Sequence, residues 1–145
     1  MFVNEGRERL EEIALTARLR VVQLHGDEMP GDYPAALDVW KALRVRPGFD
    51  LGLYDHSPAE ALVLDGPAGE LYGGAGVSFD WSLVGVATRR IILAGGLDAS
   101  NVAQAIALAR PWGVDACSRL ERAPGIKDHK KMNEFLQAAK AALHS

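Results

Sequence analysis

The sequence predicts an α/β fold built on a parallel sheet, from three observations. Short runs rich in Val, Ile and Leu recur along the chain, helical stripes lie between several of them, and most runs end in a polar residue or glycine. Runs that are apolar almost throughout are those of strands covered on both faces, and strands alternating with helices imply right-handed βα repeats. The expected architecture is of the β/α-barrel family, reduced to about five strands. It is either a partial barrel or a flavodoxin-like open sheet: a complete barrel needs eight strands and typically about 250 residues, whereas an open sheet closes with about five.

The elements follow in order. Leu10, Ile13, Ala14 and Ala17 fall at i, i+3, i+4 and i+7, an inward stripe opposite Arg7, Glu8, Glu11 and Glu12. Strands are expected in "LRVVQL" (19–24), "LDVWKAL" (37–43), "ALVLD" (61–65), "RIILAG" (90–95) and "GVDACS" (113–118). The connections after 25 and 43 are rich in Pro, Gly and Asp, with room for a short or irregular helix. A second helix runs from about Ser100 to Ala109 and is stopped by Pro111 and Gly113. A third carries Met132, Phe135, Leu136, Ala139 and Leu143 on one face, with Asp128 as its N-cap. No low-complexity tract or linker interrupts the chain, so residues 1–145 form a single domain.

Composition narrows the function. At 145 residues, with 48% hydrophobic and 24% charged residues, the chain is a globular domain with one core and no run long enough to cross a membrane. It lacks a secretory signal pattern, and its single cysteine, Cys117, agrees with a reducing compartment, so a cytoplasmic location is expected. A net charge of −3 gives no general attraction to nucleic acid. The four histidines are scattered without metal-ligand spacing, so no metal is expected.

Functional groups of β/α folds collect at the carboxyl ends of strands, where the loops converge. Those positions hold His25, Lys41, Asp65, Gly95 with Gly96, and Cys117 with Ser118. His25 is either a turn residue bonded to backbone or a site residue. Lys41 reads as a stem run along the core to water, Asp65 before Gly66 and Pro67 as turn chemistry, and Cys117 as a small buried hydrophobe. "AGGLDASN" is more pointed, because adjacent glycines expose backbone N–H groups to an anion just before a helix N-terminus, with a tight turn as the competing reading. Ser118 in "CSRLERAPGIKDHKK" is the candidate second side of that phosphate site, whose basic residues read equally as a solvated loop. In "YGGAGVSFDWSL" (72–83), Asp80 between Phe79 and Trp81 is either a shielded general acid or the cap of the helix beginning "WSL".

Taken together, "VVQLHGDE", "WKAL", "YGGAGVSFDWSL", "ILAGGLDASNV" and "GVDACSRLERAPGIKD" resemble, in order and spacing, the phosphoribosylanthranilate isomerase family of tryptophan biosynthesis. The resemblance covers essentially the whole chain. It implies a β/α barrel that converts N-(5-phosphoribosyl)anthranilate to the 1-deoxyribulose 5-phosphate isomer by an Amadori rearrangement, with neither metal nor cofactor. In that reaction an aspartic acid protonates the ribose ring oxygen, the ring opens to a Schiff base, and a cysteine removes the C2 proton. The resemblance makes Asp80 the acid and His25 an active-site residue. It places the substrate phosphate between Gly95 and Gly96 on one side and Ser118 and Arg119 on the other.

Three departures from the family pattern stand out. A glycine of the usual "SSGVE" is Arg119, which either adds charge to the phosphate or crowds its amides. A commonly basic position before "FDW" is Val77. The "KICG" segment that carries the general-base cysteine, and the arginine that meets the anthranilate carboxylate, have no counterpart in the chain, and "FVNE" matches the end of the family's third strand. The expectation is therefore a chain of the last five βα units. It would be inactive alone, with unpaired edges at 19–24 and 113–118 that favour self-association, a complementing fragment or an opened sheet. A non-catalytic barrel fragment and a flavodoxin-like phosphate-binding module are the competing readings; free phosphate is the simplest ligand of either.

Overall fold

A computed structural model describes residues 1–66, 81–84 and 87–143. Helix α1 (Arg7–Thr16) precedes four parallel strands, β1 (Val21–Leu24), β2 (Asp38–Arg44), β3 (Ala61–Asp65) and β4 (Ile91–Ala94). Helix α2 (Val102–Ala109) and strand β5 (Gly113–Val114) follow, then a small antiparallel hairpin, β6 (Glu121–Ala123) and β7 (Ile126–Lys127), and helix α3 (His129–Leu143).

The sheet order is β1-β2-β3-β4-β5, every pair parallel. Each strand is thus laid beside its predecessor, as in a barrel wall. The flavodoxin-like alternative requires a reversal of strand order, and none occurs here. At the β1 edge the chain start adds one more rung: Phe2 bridges Leu24 in parallel, its N–H donating to the Gln23 carbonyl (2.8 Å) and its carbonyl accepting from His25 N–H (2.9 Å). Phe2 thus adds an isolated parallel bridge beside β1.

Alternation explains why the strands are apolar throughout. Val22, Leu24, Val39, Leu43, Leu62, Leu64, Ile91 and Leu93 point to the helix side and form one large cluster with Leu10, Ala14, Val102, Ile106 and Phe135. Trp40, Ala42, Ala61, Val63, Ile92 and Ala94 point to the opposite face and form a second, smaller cluster. Alanines on that inner wall leave little volume there, as a curved sheet requires on its concave side.

The structure corrects several boundaries. Helix α2 starts at Val102 rather than Ser100, because Asp98 and Asn101 fold into a turn before it. Strand β5 keeps only Gly113 and Val114 of the run to 118. The irregular connections hold 3-10 turns at Pro30–Asp32 and Leu51–Tyr54. The expected cap is present: Asp128 Oδ1 accepts from Lys130 N–H (3.0 Å) and Lys131 N–H (3.2 Å). The helical stripes are covered only in part. Leu10 and Ala14 are buried but Ala17 is exposed, and in α3 Phe135 and Ala139 are buried whereas Met132, Leu136 and Leu143 are exposed.

Candidate functional site

The carboxyl ends of the strands carry the site, and the first feature there is a pair that sequence reading missed. Lys41 does not run to water. Its ammonium is buried, 2.9 Å from Glu28 Oε2, and donates also to the carbonyls of Gly26 (2.6 Å) and Leu24 (3.4 Å). Glu28, buried as well, accepts from the backbone N–H of Asn4 (2.7 Å) and of Gly26 (2.9 Å). Every charge in this pair is matched by hydrogen bonds, the condition under which buried ions persist. Burial pushes the Glu28 carboxyl up, but the hydrogen bonds from Lys41 and the backbone outweigh it and hold it below its ordinary value. The pair ties the β1 loop to strand β2 and to the chain start, and so sets the backbone that presents His25. Gly26 is required by the same packing, since a Cβ there would overlap the Asn4 side chain.

His25 therefore leaves β1 with a fixed backbone. Its Nε2 lies 3.5 Å from Asp65 Oδ2 at the end of β3, and its Nδ1 lies 3.3 Å from Met1 Sδ. Asp65 is thus more than a turn residue. Burial raises its carboxyl above the usual value; His25 and Arg44 pull against that rise and Asp115 adds to it. A cleft of about 630 Å³ opens beside these groups, lined among others by Asn4, His25, Arg44, Arg46 and Tyr54.

The glycine pair occupies the end of β4 with the backbone that an anion loop needs. Gly95 and Gly96 have φ of 82° and 66°, which favour glycine. Asn101 Nδ2 donates to the Gly96 carbonyl (2.9 Å), and Asn101 Oδ1 accepts from Asp98 N–H (2.9 Å), so the turn into α2 is held by side chains. Next to it, a cleft of about 420 Å³ is lined by Asp98, Ser100, Ser118, Arg119 and Lys131, among others. Here Arg119 has a definite partner: Nη1 lies 3.0 Å from Asp98 Oδ2. Burial raises the Asp98 carboxyl, but its hydrogen bonds from Ser100 and Arg119 outweigh that and hold it low.

Cys117 is exposed rather than a buried hydrophobe, because the chain leaves the sheet after β5. Part of the segment after Ser118 forms the β6–β7 hairpin, where Lys127 Nζ donates to Glu121 Oε1 (2.9 Å), the Cys117 carbonyl (2.9 Å) and Cys117 Sγ (3.2 Å). Asp80 and Val77 lie outside the described residues. Trp81, directly after Asp80, opens a 3-10 turn (Trp81–Val84) and is 1% exposed within the main core. Among the described residues no group of three or more His, Cys, Asp or Glu is arranged to hold a metal, and no helix is long and apolar enough to cross a membrane.

A sequentially wound parallel sheet with glycine, histidine and carboxylate groups at its strand ends defines a protein of the β/α-barrel class. Comparison with known proteins specifies which. The family described as "PRAI: N-(5'phosphoribosyl)anthranilate (PRA) isomerase" matches residues 1–138. The chain is 68% identical to the N-(5'-phosphoribosyl)anthranilate isomerase of Solibacter usitatus, over 99% of its own length and 72% of that protein's. It is 46% identical to the Pseudomonas putida (strain GB-1) enzyme, over 98% and 71%. The crystal structure of the Thermotoga maritima enzyme superposes with a TM-score of 0.83 at 36% identity, covering 97% of this chain and 71% of that one. The chain belongs to the phosphoribosylanthranilate isomerase family, whose reaction is a step of tryptophan biosynthesis.

Proposed function

We propose that residues 1–145 are the last five βα units of the family's barrel, a single partial domain that carries the acid and phosphate side of the isomerase site. The substrate is N-(5-phosphoribosyl)anthranilate, and the protein works in the cytoplasm without a metal or cofactor. A related structure supports the substrate assignment: a phosphoribosylanthranilate isomerase solved with reduced 1-(o-carboxyphenylamino)-1-deoxyribulose 5-phosphate matches this chain at TM-score 0.81 and 33% identity.

The observation that carries the reading is the approach, at one end of the sheet, of His25 and the positive-φ pair Gly95–Gly96 to the same Asp65 carboxylate, ahead of the turn into α2. In this reading the amides of Gly95 and Gly96, with Ser118 across the cleft, hold the 5-phosphate. Asp80 delivers a proton to the ribose ring oxygen as its bond to C1 breaks, and His25 lies beside the opened sugar. The C2 proton then has to leave. No residue of this chain matches the family's basic cysteine, and Cys117 belongs to the far side of the sheet, beyond β5.

The expected result is that the purified chain alone does not convert substrate above the buffer rate, and that adding a family segment containing "KICG" restores turnover that Asp80→Asn abolishes. Turnover by the chain alone, lost in Asp80→Asn, would overturn the requirement for an external base. Completion by a second copy or by a complementing fragment fits the sheet edges, and light scattering with and without the segment distinguishes them.

Arg119 yields a further expectation. Because its guanidinium is paired with Asp98, Arg119→Ala leaves an unneutralised carboxylate beside the phosphate cleft. Inorganic phosphate should bind a few-fold more weakly at low salt, an effect that shrinks as salt screens it. Tighter binding in calorimetry would instead mark Arg119 as an obstruction.

A further inference from the structure

Side-chain parity puts a second charged layer on the inner side of the sheet. Arg44 and Asp65 are partners in the β2–β3 register, Trp40, Ala42, Ala61 and Val63 precede them on the same face, and Asp65 pairs in turn with Ala94, directly before Gly95. One oxygen of Asp65, Oδ2, faces the His25 ring at 3.5 Å. The other, Oδ1, lies against the glycine turn: a Cβ built on Gly95 would sit 2.6 Å from it. The carboxylate is therefore wedged between the histidine that follows β1 and the glycine turn that follows β4.

We propose that Asp65 is the positioning residue of the site, its carboxylate bracing the His25 ring on one side and the Gly95 turn on the other. The inference rests on the phosphate and histidine assignments above but is tested without turnover. The charged groups around the carboxylate are His25 after β1, Arg44 on β2 and Asp115 after β5.

The experiment follows the His25 ring resonances of the full chain by NMR at one pH, and inorganic phosphate binding by calorimetry, in the parent, Asp65→Ala and Arg44→Gln. In Asp65→Ala the His25 ring resonances should shift and broaden as the ring loses its brace, whereas in Arg44→Gln, at an exposed position that need not perturb folding, their line widths should stay as in the parent. Phosphate should bind about threefold or more weakly in Asp65→Ala, although that variant has lost a negative charge near the anion; simple electrostatics gives the reverse. Unchanged His25 ring resonances in a folded Asp65→Ala overturn the brace, as does phosphate binding that tightens in that variant. Failure of the parent to bind phosphate would sink the phosphate assignment, while the ligand-free spectra still decide the role of Asp65.

Discussion

Lys41→Met should unfold the protein more readily than any single surface change, with a loss of about 3–5 kcal/mol in denaturant titrations. The size comes from what is left behind. Methionine fills much of the lysine stem volume, so packing changes little, but Glu28 remains buried without its cation, and the Gly26 and Leu24 carbonyls lose their donor. Glu28→Gln added to Lys41→Met should restore about half the loss or more, because the stranded charge disappears and the one amide oxygen still accepts from one of the two N–H groups, Asn4 or Gly26, that the two carboxylate oxygens met separately. A double variant no more stable than Lys41→Met would refute the ionic account.

The pH dependence gives the same argument a sign. In the parent, Glu28 is held below its ordinary value of 4.5. Its contribution is present above that value and is lost as pH falls through the lower folded-state value. In Lys41→Met the carboxylate is a liability that protonation relieves. The stability gap between the two proteins should therefore narrow below about pH 4.5. A gap that widens on acidification would point to a cause other than this pair.

Gly95→Ala should be the second most damaging change, and it should strike site and stability together. Its φ of 82° costs an L-residue roughly 1–2 kcal/mol. The new Cβ would also lie 2.6 Å from Gly66 N and 2.6 Å from Asp65 Oδ1, one of them backbone that has no freedom to swing away. A total loss of at least about 2 kcal/mol is expected, together with weakened phosphate binding as the turn and Asp65 shift. Gly125→Ala isolates the conformational part, since its φ is 76° but no atom lies within 4 Å of the added Cβ. Equal losses at the two positions would remove the steric argument for Gly95.

Much of this was legible in the chain itself. The runs at 61–65 and 90–95 announce their strands because continuous Val, Ile and Leu suit only a sheet covered on both faces, and Asp128 announces the start of α3 through ordinary capping chemistry. The family was legible through the resemblance of several ordered blocks, around His25, Asp80, Gly95 and Ser118, to one known pattern. Glu28 gave no such signal. An acidic residue in "HGDEMP" looks like solvated turn, and its burial depends on Lys41 arriving from a strand 13 positions later. Asp65 likewise reads as a turn residue until β1 and β4 close on either side of it.

The sequence by itself determined the parallel class, the main strands and helices and the glycine turn, each from periodicity, capping or local backbone chemistry that a short window contains; the family came from the resemblance of several blocks in one order to a known pattern. Tertiary structure alone decided the sequential strand order, the burial of Lys41 with Glu28, the exposure of Cys117, the pairing of Arg119 with Asp98, and the wedge formed by Asp65. Those depend on which distant segments share a neighbourhood, and on the cost of burying a charge, which is settled only when its partner arrives.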